Sequence, residues 1–362
     1  MDLVMTDLFE NPLGTDGFEF VEFTSPNPDT LATYFHQLGF TAVSQHRSKN
    51  VVRFKQGDIN FILNMETAGQ AAQFREQRGP SANAMAFRVK DAAYALKQAI
   101  ARGAEPVDSP IGPMELDIPA IKGIGGAFIY LVDRYGAQSI YDVDFKPIPG
   151  AAQKEANNSI GLTYLDHLTH NVFRGNMEVW ADFYERIFNF REIRYFDIEG
   201  KVSGLFSKAM TSPCGKIRIP LNESKGEVGK TDQIEEFLQR YKGEGIQHIA
   251  MGSSDLLATV DHLRARGVEL QDTIDTYFDL IDTRLPGHGH DVEALRQRRI
   301  LIDGAPSEGQ GLLLQIFGKD AVGPIFFEFI QRKGNEGFGE GNFTALFESI
   351  ELDQIRRGIL QE

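Results

Sequence analysis

The chain repeats itself, and that repeat constrains its fold more than any other feature of its 362 residues. Residues 84–107, AMAFRVKDAAYALKQAIARGAEPV, align with residues 248–271, HIAMGSSDLLATVDHLRARGVELQ, at a constant offset of 164, which pairs Asp91 with Asp255 and Gly103 with Gly267. Both segments read as strand, helix and turn. Residues 123–136, GIGGAFIYLVDRYG, match residues 321–334, AVGPIFFEFIQRKG, at an offset of 198, so the second copy carries 34 extra residues between Gln271 and Ala321. A weaker echo, GDINFILN at 57–64 and GKIRIPLN at 215–222, has an offset of 158. A duplicated chain of this kind buries its apolar faces between like units.

Each quarter carries an alternating apolar strand, an amphipathic helix such as 29–38 or 177–188, and short strands separated by Gly, Asn and Asp. The expected class is α+β, with four βαβββ modules paired into two open half-barrels. The joint is expected in the Pro-, Gly-, Ala- and Asn-rich stretch 147–159, dividing the chain into domains 1–150 and 151–362. In the tail, Phe343, Leu346, Phe347 and Ile350 recur at helical spacing, which predicts a C-terminal helix packed on an apolar surface.

Thirty-seven basic against 51 acidic residues leave a net charge of -14, the wrong sign for binding nucleic acid or an anionic membrane. The first 13 residues carry Asp2, Asp7 and Glu10 with no basic residue, unlike an export signal, and no run of 18 apolar residues occurs. Cys214, the single cysteine, has no internal partner for a disulfide. The expected location is cytoplasmic.

The halves differ in polar equipment. Six of the eight histidines, His167, His170, His248, His262, His288 and His290, fall in the second half. Under the two offsets His248 corresponds to Ala84 and Glu328 to Tyr130, so the first half keeps the scaffold without these groups. Glu328 interrupts the apolar run 324–330, PIFFEFI, where an unpaired charge would cost several kcal/mol. It needs either an ion pair, for which Arg332 is the candidate, or a metal. His248, in GIQHIAM at 245–251, shares a strand face with Ile246 and Ala250, with Gln247 on the other. His167 and His170, three apart, point to opposite faces of their strand, so only one can enter a shared site. Two histidines and a carboxylate on strands of three modules match the facial triad of non-haem Fe(II) oxygenases, which leaves coordination positions open. His288 and His290 are poorer candidates, because their glycine-rich loop holds ligands less rigidly.

Other chemistries find little support. Residues 224–231, SKGEVGKT, nearly spell a phosphate-binding loop, but Ser224 replaces the first glycine, Glu223 and Glu227 add negative charge, and Pro220 interrupts the expected preceding strand at 216–221. No G-x-G-x-x-G dinucleotide fingerprint and no G-x-S-x-G nucleophile elbow occurs, so nucleotide binding and covalent catalysis are not expected.

Six segments, DHLTHN at 166–171, IRIPLNE at 217–223, GEGIQH at 243–248, LLQIF at 313–317, FEFIQR at 327–332 and GFGEGNF at 337–343, together resemble the 4-hydroxyphenylpyruvate dioxygenase family over nearly the full chain. That family belongs to the vicinal-oxygen-chelate, or glyoxalase-like, superfamily. The resemblance implies one Fe(II) per subunit held by His167, His248 and Glu328, with His170 as the outward-facing partner of its strand. It implies a polar set of Ser207, Asn222, Gln233, Gln247 and Gln315, an aromatic lining of Phe317, Phe326, Phe338 and Phe343, and a C-terminal helix that closes over the site. The implied reaction is oxidative decarboxylation and ring hydroxylation of 4-hydroxyphenylpyruvate with O2, giving homogentisate and CO2 in tyrosine and phenylalanine catabolism. No separate 2-oxoglutarate is called for, since the substrate is itself the 2-oxo acid. Family members form dimers or tetramers.

Overall fold

A computed structural model describes residues 7–108, 111–199, 204–226, 232–339, 341–342, 354–355 and 357–359. The first half builds a nine-stranded sheet from β1 (Thr15–Thr24), β2 (Thr41–His46), β3 (Val51–Gln56), β4 (Ile59–Asn64), β5 (Ser81–Val89), β6 (Pro106–Val107), β7 (Ala120–Lys122), β8 (Phe128–Val132) and β9 (Phe145–Pro147). The second half builds an eight-stranded sheet from β10 (Leu162–Val172), β11 (Arg191–Glu199), β12 (Gly204–Thr211), β13 (Arg218–Ser224), β14 (Gly245–Ser253), β15 (Leu301–Gly304), β16 (Leu312–Phe317) and β17 (Phe326–Lys333). Four βαβββ modules are present. Their helices are Pro28–Gln37, Ala92–Ala101, Met177–Phe188 and Leu256–Ala265.

Strand order is β6-β7-β8-β5-β1-β4-β3-β2-β9 in one sheet and β11-β12-β13-β10-β14-β17-β16-β15 in the other. Each half therefore joins two modules through an antiparallel pair of leading strands, β1 with β5 and β10 with β14. All three offsets reappear in the hydrogen bonding: Ala84 pairs with Phe128 as His248 does with Phe326, and Phe23 pairs with Leu63 as His170 does with Leu221.

One face of each sheet, and the module helices on it, meet in a single apolar cluster. Phe327 of β17 packs against Phe23, Tyr34 and Phe61 from the first half, with ring centroids 6.3, 5.9 and 5.8 Å away. Phe87 reciprocates against Phe188 at 5.3 Å. Buried aromatic contact of this extent gives the halves a shared core.

One expectation, that Pro220 interrupts its strand, needs correction, and other segments gain detail. Residues 147–159 hold a helix, Ala151–Asn158. Pro220 lies within β13, paired with Ala209, and breaks nothing because β10 begins its pairing with β13 only at Leu221. The 34 extra residues contain three short helices, Asp275–Asp279, Ile281–Arg284 and Val292–Arg298. The proposed C-terminal helix from Phe343 lies outside the described residues. Among the described residues no helix is long and apolar enough to cross a membrane.

Candidate metal centre

His167, His248 and Glu328 lie on β10, β14 and β17, three neighbouring strands of the second sheet, and are 3, 8 and 1 % exposed. One ligand atom from each falls within 4.8 Å of the others. Glu328 Oε2 stands 3.0 Å from His167 Nε2 and 3.4 Å from His248 Nε2. Adjacent donors about 2.1 Å from a common octahedral ion stand about 3 Å apart, so these spacings suit a divalent metal.

Two β-bulges build this geometry. Between Leu165 and His167 the strand β10 spends two residues against one on β14, and between Ile246 and His248 the strand β14 spends two against one on β10. The extra residues are Asp166 and Gln247. A regular strand would point each away from the histidine that follows it, but a bulge re-aims side chains locally. Asp166 Oδ1 consequently accepts from His167 Nδ1 at 2.8 Å, and Gln247 Oε1 accepts from His248 Nδ1 at 3.0 Å. The expectation that Gln247 faces away from His248 is thus overturned by the bulge.

Both rings spend their Nδ1 protons on these partners, so each neutral imidazole presents a bare Nε2 lone pair toward Glu328 Oε2. Three buried acceptors converging on one point need a cation between them. Protons on the imidazole Nε2 atoms are the alternative occupant of that point, and they set the ionisation of the metal-free groups. Burial alone would raise the Glu328 carboxyl, but the two facing imidazoles outweigh it and hold it at about 2. Burial lowers His248, whereas on His167 the carboxylates of Glu328 and Asp166 outweigh burial and raise the ring. Asp166 stays well below the usual carboxylate range because Arg332 offsets its desolvation.

The ion pair weighed for Glu328 is made elsewhere. Arg332 donates from Nε and Nη2 to Asp166, at 2.7 and 2.8 Å, while Arg218 reaches the same carboxylate at 3.3 Å. Glu328 Oε1 instead accepts from Gln315 Nε2 at 2.8 Å. Gln315 Oε1 is held by Asn342 Nδ2 at 2.8 Å, and Asn342 Oδ1 by the Tyr277 hydroxyl at 2.6 Å. The 34-residue addition, through Tyr277, therefore reaches the centre along a hydrogen-bond chain. Asn342 and Tyr277 were missed by sequence reasoning, and only the GFGEGNF segment hinted at the former.

Residues 9–146 match the family described as hydroxyphenylpyruvate dioxygenase, N-terminal, and residues 164–281 match the glyoxalase/bleomycin resistance protein/dioxygenase superfamily. A 4-hydroxyphenylpyruvate dioxygenase of Pseudomonas aeruginosa is 59 % identical over 353 residues, covering 97 % of both chains. The chain belongs to the 4-hydroxyphenylpyruvate dioxygenase family. Hemolysin VllY of Vibrio vulnificus is 60 % identical over 97 % of this chain and 98 % of its own. A solved structure of a mutant 4-hydroxymandelate synthase from Streptomyces coelicolor, 24 % identical, shares the fold with a TM-score of 0.81 over 94 % of this chain and 99 % of its own. As a member of the 4-hydroxyphenylpyruvate dioxygenase family, the chain is a metal-dependent dioxygenase.

The remaining residues that resemblance to the dioxygenase family singles out fall in three places. Phe326 stacks on the His248 ring at 4.9 Å, with Phe317 6.4 Å from Phe326, and Phe338 meets the His167 ring edge-on at 5.5 Å. Gln233 and Gln247, with Phe326, line a cavity of about 350 Å³. Ser207 and Asn222 pair across β12 and β13, and Asn222 pairs in turn with Asn171 of β10. Asn171 is fully buried with both amide atoms unpartnered, a polar group that sequence reasoning passed over although it stands four residues beyond His167, on the same strand face. His170 does not face solvent: it is buried, with Nε2 2.7 Å from the Tyr184 hydroxyl under the helix Met177–Phe188. His288 is tied to Asp282 at 2.9 Å and stacks with His290, apart from the trio. Phe343 lies outside the described residues.

Proposed function

We propose that His167, His248 and Glu328 hold one Fe(II), and that the chain converts 4-hydroxyphenylpyruvate and O2 to homogentisate and CO2. The observation that carries this reading is the convergence of three buried lone-pair donors, each held from behind by Asp166, Gln247 or Gln315. Bound there, Fe(II) supplies open coordination positions for the 2-oxo acid and dioxygen and the redox chemistry of decarboxylation and ring hydroxylation. The protein's own part is placement. Phe317, Phe326 and Phe338 wall the chamber with apolar surface and keep water from the reacting centre. Ser207, Asn222 and the unpartnered Asn171 offer hydrogen bonds that hold the phenol and side chain in register, and Gln233 and Gln247 do so from the adjoining cavity. No separate 2-oxoglutarate or nucleotide takes part. Residues 1–150 form a domain without metal ligands and residues 151–362 the catalytic domain of a cytoplasmic homodimer or homotetramer.

The test is oxygen uptake by the purified chain supplied with Fe(II), ascorbate and 4-hydroxyphenylpyruvate, with products separated by chromatography. Homogentisate is the expected product. Formation of 4-hydroxymandelate would move the assignment to benzylic hydroxylation on the same fold. Glu328→Ala and His248→Ala are expected to abolish both metal binding and uptake, and near-normal turnover in either would overturn the ligand assignment.

A further inference from the structure

The first half keeps a cup where the second half has its metal centre. Matching registers place Phe20, Ala84 and Tyr130 at the positions of His167, His248 and Glu328. The cup encloses about 140 Å³, walled by Phe20, Ile62, Tyr130 and Tyr141. At its base lies Glu22, 7 % exposed, in the place of Thr169. Asn83 Nδ2 and Asn64 Nδ2 both donate to Glu22 Oε1, at 2.6 and 3.0 Å, and the carboxylate lines the cavity. Asn83 is itself turned inward by a bulge, since β5 spends Asn83 as an extra residue between the partners of Phe23 and Glu22. Two neutral amides orient this carboxylate without neutralising it. Lys49, the charged group whose field acts on it, is engaged by Glu115 at 2.9 Å.

We propose that this cup is a second ligand site, for a one-ring aromatic molecule bearing an ammonium group, with the ring between Phe20, Tyr130 and Tyr141 and the ammonium on the Glu22 carboxylate. The volume is close to the roughly 150 Å³ of an apolar cavity that takes up benzene. Phe20 and Tyr130 favour a cationic ring ligand through their negative faces, Tyr141 having one face already covered by the Arg53 guanidinium at 3.5 Å, and a buried carboxylate favours a charge-assisted donor over a neutral one. A carboxylate-bearing ring of the same size is excluded by like charge at Glu22. The site is built by the first sheet and does not depend on metal in the second.

Benzylamine is the probe, titrated into the full-length metal-loaded protein and followed by calorimetry and ligand-observed NMR, with benzoate as the charge-reversed counterpart. The expected result is saturable one-to-one binding of benzylamine with a Kd of about 1 mM or tighter, and none for benzoate in that range. Glu22→Gln is expected to weaken it by about tenfold through loss of the charged acceptor. Ile62→Phe, which fills the cup without touching the Glu22 amides, is expected to abolish it while retained metal binding shows the protein folded. Absence of saturable benzylamine binding to the wild-type protein would overturn the proposal. So would binding unchanged in Ile62→Phe, or binding lost in His248→Ala, which would place the amine in the second-half chamber.

Discussion

Asp166→Asn is the sharpest probe of the metal centre, because Asp166 joins two structures that its shape alone cannot sustain. The carboxylate is 2 % exposed and takes four contacts, from His167 Nδ1, from Nε and Nη2 of Arg332 and from Nη1 of Arg218. Asparagine preserves the volume but turns one acceptor into a donor and removes the charge. Whichever way the amide turns, Arg332 meets an N–H in place of an oxygen, and with that N–H at the Oδ1 position His167 meets it too. Charge-assisted bonds are each worth about 1.5–3 kcal/mol, and removing one partner of a buried pair costs about 3–5 kcal/mol, the larger figure containing the smaller. We therefore expect metal-free Asp166→Asn to lose about 3–5 kcal/mol in urea unfolding. Metal affinity is expected to fall by a further factor of about 10–100, because His167 loses the partner that fixes its ring and tautomer. Gln247→Leu is the control: it releases His248 from a neutral amide and strands no guanidinium, so it should weaken metal with a smaller loss of stability. Titration of divalent metal into both variants, beside urea curves of the metal-free forms, separates the two effects. Metal binding by Asp166→Asn within twofold of the wild type would refute the positioning role.

Three further outcomes follow from particular contacts. Burial pushes His170 down to about 3, so below pH 6.5 the unfolded chain binds a proton that the folded chain refuses; stability is full above that pH and falls by about 1.4 kcal/mol per unit as the medium acidifies toward pH 3. Urea midpoints at pH 6.5 and 5 should show His170→Gln missing about 2 kcal/mol of the wild-type decline, and equal slopes would contradict this. Phe327→Ala empties the meeting point of Phe23, Tyr34 and Phe61 and should cost about 3–5 kcal/mol in chemical unfolding, a loss under about 1 kcal/mol being inconsistent with the packing. Gln315→Leu leaves Glu328 Oε1 and the Asn342 amide without their partner; the expected loss is about 1–3 kcal/mol of stability together with weaker metal binding, measured by the same titration.

The repeat, the four modules and the inequality of the halves were legible in the sequence because each rests on a local signal. A period of two marks a strand, a period near 3.6 marks a helix, and constant offsets survive wherever a module keeps its length. Glu328 announced itself in the same way, as a charge in an apolar run. Whether it met Arg332 or a metal stayed undecided at that level, because the partner of Arg332 is Asp166, 166 residues earlier in the chain. Alternation also misled: it sends Gln247 away from His248, and only the pairing of β14 with β10 reveals the bulge that turns it back. The same holds for Asp166 beside His167 and for the chain from Tyr277 to Glu328. By itself the sequence determined where the repeated strands and helices recur, which half carries the extra histidines and the glutamate in an apolar strand, and which residue types are available to a metal. Tertiary structure decided where two strands fall out of step and which distant side chains hold the ligands from behind, since a bulge and a buried hydrogen bond are properties of a pair of segments and neither strand encodes them alone.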